Sequence, residues 1–136
     1  WGLLEKADDI QENRLKSWNM YYNGFQELAA KKYIELPQIP NSCTHNGNIF
    51  YIKVKDENER NSLSNYLFQH EINVVSHYVP LHSSIAGLKY GRFSGEENYT
   101  TIESERLLRL PLYFGLSENE ILYIIEMVKN YYLEYY

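Results

Sequence analysis

Over residues 1–32, WGLLEKADDIQENRLKSWNMYYNGFQELAAKK, apolar side chains recur at Leu3, Ala7, Ile10, Trp18, Tyr21, Phe25 and Leu28. These are the three- and four-residue steps of one helical face, broken once by Arg14. The pattern predicts a single long helix, about 45 Å if about thirty residues are helical. No capping residue precedes Trp1, so the sequence reads as if entered inside a helix. The expectation is a fragment of a longer polypeptide, the alternative being a natural terminus with an uncapped first turn.

The next segment, IELPQIPNSCTHNGN, is punctuated by proline, glycine, asparagine and serine and predicts a surface loop. IFYIKVK then alternates, Phe50, Ile52 and Val54 against Tyr51, Lys53 and Lys55, as in a half-buried strand. In DENERNSLSNYLFQHE, Asp56 is a candidate cap with Glu59 three residues on, and Leu63, Tyr66, Leu67 and His70 share a helical face. INVVSHY is a second strand candidate, rich in β-branched residues and ended by Pro80, which has no N–H for a ladder. From Leu81 to Asn98 no period is sustained, which predicts a long loop of the kind that is functional or covered by a partner. TTIESERL predicts a short helix capped by Thr100, with Glu103 at its third position, and LLRLPLY a strand stopped at Pro111. SENEILYIIEMVKNYYLEYY opens with a capping box, Ser117 to Glu120. It places Ile121, Ile124, Ile125, Val128 and Tyr132 on one side. The order favours an α+β fold, a small, largely antiparallel sheet covered by helices, in one domain over residues 1–136. The first helix should pack along a sheet holding 50–54 and 72–76, with the last helix alongside.

Composition narrows the function classes. The chain has 136 residues and a net charge of −5 with its acids dispersed, which argues against nucleic-acid binding and against an anionic membrane surface. One cysteine, Cys43, excludes an internal disulfide, and there is neither a membrane-span run nor a signal-peptide pattern. A reducing, cytoplasmic setting fits, and the NYT triplet at Asn98 then reads as a loop with a capping threonine. GRFSG lacks the lysine and spacing of a phosphate loop.

The chemistry-bearing residues concentrate in SHYVPLHSS, residues 76–84. Cys43, His45, His77 and His82 have soft donors but not a spacing that demands zinc, and Cys43 with His45 lacks a motif for nucleophilic catalysis. His70 reads as a packing histidine. The fourteen tyrosines, crowded toward the end of the chain, read as core or interface. From pattern alone, His77 and His82 are solvent-facing residues at a strand end.

The runs FQHEINVVSHYVPLHSSIAGLKYGRF and YTTIESERLLRLPLYFGLSENE, in this order, closely resemble the C-terminal small domain of the DegT/DnrJ/EryC1/StrS family of sugar aminotransferases. Weaker similarity extends back to the opening helix. The resemblance implies the C-terminal domain of a fold-type I pyridoxal 5′-phosphate enzyme, residues 1–32 forming an interdomain helix. The large domain, with its Schiff-base lysine, lies outside this chain. It implies transfer of an amino group from glutamate to a nucleotide-linked 4-keto-6-deoxysugar by a cytoplasmic homodimer. Relatives with histidine in place of the lysine dehydrate sugars instead; without any large domain, the chain would be a binding or dimerisation module. Within this chain the resemblance implies no catalytic, cofactor or metal residue, but a substrate wall of His77 and Tyr78 with His82 beside them. The same resemblance would let Lys89 and Arg92 approach the diphosphate electrostatically, whereas each taken alone reads as a solvated loop charge. One departure concerns the loop path: relatives commonly carry proline where this chain has Ile85, which predicts a less rigid turn.

Overall fold

The structure is a computed structural model and describes residues 5–97 and 99–135. Trp1 to Leu4, Asn98 and Tyr136 lie outside the described residues, and with them the expected first turn of the opening helix, Leu3 of its stripe and the asparagine of the NYT triplet.

The opening stripe folds as two consecutive helices, α1 (Ala7–Gly24) and α2 (Gln26–Ala30). The ladder runs on across Phe25, whose N–H donates to the Tyr21 carbonyl while its own carbonyl accepts from Ala29, both at 3.1 Å. One helix is therefore nearly right, with a local irregularity at Phe25 that the stripe did not show. Only its later part is core: Trp18, Tyr21, Phe25 and Leu28 are buried, whereas Ala7 is exposed and Ile10 half-buried. Gly47 explains how the following loop approaches this helix. Its φ is +59°, and a Cβ there would meet the Arg14 and Leu15 backbone at 3.1 Å, so only glycine fits without strain.

Strands β1 (Phe50–Lys53), β2 (Val75–Ser76) and β3 (Leu107–Leu110) form one antiparallel sheet in the order β1-β3-β2. Phe50 pairs with Leu110 and Ile52 with Leu108, and all four are buried. The two-residue alternation thus puts both strands' apolar positions on one face. β2 is much shorter than the seven residues predicted: Ile72 is buried before it begins, while Val75 and Ser76 are exposed. It is an edge strand, and only two residues find a partner on β3.

Two helices follow their capping signals. In α3 (Glu57–Gln69) the Asp56 carboxylate accepts the Glu59 N–H at 2.9 Å. In α6 (Glu118–Tyr135) Ser117 Oγ accepts the Glu120 N–H, and the Glu120 carboxylate accepts the Ser117 N–H at 2.8 Å. This hydrogen bonding, first from the Ser117 side chain, holds the Glu120 carboxyl below its usual range. Ile121, Ile124, Ile125, Val128 and Tyr132 are buried as expected, joined by Met127 and Tyr131. Together with Tyr21 and Phe50, whose rings stack at 5.0 Å, they form one core. Burying a side chain of this size contributes about 1.5–3 kcal/mol. Among the described residues no helix is long and apolar enough to cross a membrane.

Helix α3 ends by a device its sequence conceals. Glu71 adopts φ +62°, the Ile72 N–H reaches the Leu67 carbonyl at 2.9 Å, and the Glu71 N–H reaches that of Phe68 at 3.1 Å. This is the paired closure in which glycine normally occupies the left-handed position. Glu71→Gly is therefore expected to raise unfolding free energy by about 1 kcal/mol, since the left-handed penalty for a side chain is of that size. Urea titration of the two proteins checks it, and a loss of stability would show that the Glu71 side chain contributes more than its backbone costs.

Candidate functional site

The SHYVPLHSS segment leaves the sheet from its edge. His77 and Tyr78 follow β2 directly, their rings 4.4 Å apart at 58°, and both are exposed, Tyr78 at 72 %. Pro80 opens a single 3-10 turn, Leu81–Ser83. Ser84 then caps a helix that the sequence pattern did not show, α4 (Ile85–Tyr90), its Oγ accepting the Gly87 N–H at 2.9 Å. The expected loop over 81–98 is thus half helical. Six residues were too few to show a period, but Ser84 three residues before Gly87 is a readable cap. Ile85, the first residue of α4, is 90 % exposed. The cap Ser84, at φ −67° and ψ 155°, already fixes the entry to the helix that proline would otherwise impose.

Helix α5 (Thr100–Arg106) closes the segment from behind. Thr100 is its first residue and not its cap: Tyr99 holds the cap position without a side-chain bond, and the Glu97 carboxylate accepts the Thr101 N–H at 2.9 Å. That backbone hydrogen bond is the main cause holding the Glu97 carboxyl below its usual range. Thr101 Oγ1 lies 3.2 Å from His82 Nε2, and the His82 ring tilts against Phe93 at 4.7 Å. Ser104 Oγ donates to the Tyr78 carbonyl at 2.7 Å. The structure therefore brings Tyr78 and His82 against α5, leaves His77 in contact with the Tyr78 ring alone among the described contacts, and adds Thr101 and Ser104, to which sequence reasoning gave no role. The TTIESER run was the available signal, but the partners of Thr101 and Ser104 lie 19 and 26 residues away.

The other candidates are dispersed. Lys89 Nζ lies over the Tyr90 ring, 5.0 Å from its centroid, and Arg92 is exposed in the loop beyond. The His45 ring lies tilted at 51° against Trp18, 4.3 Å between centroids, Cys43 is exposed, and His70 Nδ1 sits 2.8 Å from the Tyr66 carbonyl at the end of α3. Among the described residues no three His, Cys, Asp or Glu side chains converge on a metal-sized site.

The surface of this segment is unlike the rest. Tyr78, Val79, Leu81, Ile85, Leu88, Tyr90, Tyr99 and Ile102 are all more than half exposed, Leu81 at 80 %. An apolar and aromatic run of this extent marks a face that binds something. Three of the chain's lysines are held in ion pairs. Lys16 is paired with Glu118, Lys31 with Glu27 and Lys53 with Glu103. Hydrogen bonding to Glu118 and to Glu27 raises the first two ammonium groups above their usual range, opposite to the shift a nucleophilic amine needs.

The chain is thus an α+β unit that presents histidines, tyrosine and apolar side chains beside a sheet edge. The profile of the DegT/DnrJ/EryC1/StrS aminotransferase family matches residues 2–129, and the chain belongs to that family. Its fold is shared with Helicobacter pylori PseC, an aminotransferase involved in the biosynthesis of pseudoaminic acid (14 % identity, TM-score 0.82, 97 % of this chain and 35 % of that one). It is shared also with S. venezuelae DesV, solved with a ketimine intermediate and matched at 22 % identity and TM-score 0.78, over 94 % of this chain and 33 % of that one. A Streptococcus pneumoniae protein described as a sugar aminotransferase, with PLP and PMP forms, is similar. Its PMP form matches at 23 % identity and TM-score 0.76, over 93 % of this chain and 32 % of that one. The chain thus spans about a third of the length of these structures.

Proposed function

We propose that this chain is the C-terminal small domain of a pyridoxal 5′-phosphate-dependent sugar aminotransferase. Its substrate would be dTDP-4-keto-6-deoxyglucose, aminated at C4 by glutamate to dTDP-4-amino-4,6-dideoxygalactose in the cytoplasm for cell-surface polysaccharide. The observation that carries the reading is the exposed segment between Val75 and Ile102, whose side chains are those of a domain face. On this reading the large domain and a second protomer cover that face. Pyridoxal 5′-phosphate, which the large domain would hold, would supply the amino-transfer chemistry. This chain's own part is to bind and orient the sugar. The Tyr78 ring packs on the hexose, its hydroxyl and the His77 imidazole hydrogen-bond sugar or diphosphate oxygens, and His82 flanks them. The apolar neighbours keep water out.

Separate half-reactions of the full-length enzyme test this. Tyr78→Phe keeps the ring and removes one hydroxyl, so the sugar half-reaction should lose about 1–3 kcal/mol of transition-state stabilisation. The glutamate half-reaction should be unchanged, because the donor does not touch this wall. Parent-like kinetics in both halves would remove Tyr78 from the site, and equal loss in both would mean a folding or cofactor defect.

A further inference from the structure

In the candidate wall Tyr78 is exposed and His82 half-buried, and two hydroxyl groups one turn apart on α5 meet the Tyr78 backbone and the His82 ring. Ser104 Oγ donates to the Tyr78 carbonyl at 2.7 Å, and Thr101 Oγ1 meets His82 Nε2 at 3.2 Å. The helix that bears them is itself pinned. The Glu103 carboxylate faces both Lys53 of β1 and Arg106, and Arg106 Nε donates to the Val54 carbonyl at 2.7 Å while its other end pairs with Glu35. A continuous chain of polar contacts therefore runs from the sheet through α5 to the backbone of Tyr78 and the ring of His82.

We infer that Ser104 and Thr101 are positioning residues for sugar binding, setting the height of the Tyr78–His82 turn above the sheet. The inference rests on the proposed function for what the turn binds, but not for how the turn is held. A side chain in solvent at residue 78 is free to swing unless its backbone is fixed. Holding the carbonyl on one side of the proline and the imidazole on the other leaves the intervening residues one arrangement. Preorganisation of this kind improves binding by removing an ordering cost and leaves bond-making steps alone.

The test compares Ser104→Ala and Thr101→Val with Ser104→Thr and Thr101→Ser in the full-length, cofactor-loaded protein, using dTDP-4-keto-6-deoxyglucose as probe. Each hydroxyl deletion should raise KM for the sugar by roughly 3- to 10-fold, the size of one hydrogen bond. The value of kcat, the glutamate half-reaction and the thermal midpoint should stay at the parent's, and the hydroxyl-keeping variants should recover the parent's KM. Amide hydrogen exchange of the same proteins should quicken only within residues 77–84. Unchanged KM and unchanged exchange would overturn the inference, as would quickening spread over the whole domain with both half-reactions impaired. A parent protein that does not turn over this sugar would sink the proposed function and leave exchange to decide. Quickening confined to residues 77–84 then supports the positioning role, and exchange at the parent's rate removes it.

Discussion

Gly87→Ala should abolish most of the sugar half-reaction while leaving the domain folded. A Cβ on Gly87 would stand 1.7 Å from the Leu81 carbonyl oxygen and 2.8 Å from its carbon. Both are backbone atoms that no rotamer change can move aside. Either α4 or the 81–83 turn must shift, and the turn carries His82. The cost does not reach the core, because Leu81, Ile85 and Leu88 are exposed and bury no area that folding depends on. A displacement of about 1 Å in a positioning element costs about 10²-fold in rate, so a loss of that order is expected with dTDP-4-keto-6-deoxyglucose. Circular dichroism and urea unfolding should stay close to the parent's. Full activity in a folded Gly87→Ala protein would show that this turn is not part of the sugar site.

The largest effect on stability is expected at Glu59. This carboxylate is 6 % exposed, yet its nearest partners are not cations: Oε1 accepts the Tyr132 hydroxyl at 2.6 Å and Oε2 the Lys55 N–H at 3.3 Å. The same residue's N–H is taken by Asp56. Glu59 thus joins the start of α3 to the far end of α6 through the core. Glu59→Ala removes the acceptor from two donors and opens a gap, and should destabilise the domain by about 3 kcal/mol. Glu59→Gln keeps an acceptor of nearly the same shape and should lose roughly half as much. A double-mutant cycle with Tyr132→Phe, read by equilibrium urea unfolding, isolates the pair. A coupling below about 0.5 kcal/mol would mean that the two groups merely lie together.

These two residues show where sequence reading ends. Asp56 and Glu59 were legible as a capping pair because the ring they close spans three residues. That Glu59 also receives Tyr132, 73 residues on, was not. Gly87 stood in a segment read as loop, and its need for a bare Cα comes from Leu81, whose carbonyl is brought against it by the turn. The site divides in the same way. His77, Tyr78 and His82 stood out by residue type and by resemblance, while the hydroxyls behind two of them did not.

The chain's sequence by itself determined its family, the alternation of β1 and β3, the caps of α3 and α6 and the buried face of α6, because each of these is written in residues close along the chain or in a motif order. Tertiary structure alone decided that β3 lies between β1 and β2, that β2 keeps only two paired residues, and that Glu97 rather than Thr100 serves the start of α5. It also decided that α5 backs the Tyr78–His82 turn. Short-range hydrogen bonds are selected by neighbouring residue types, whereas contacts across tens of residues exist only once the core has brought their elements together.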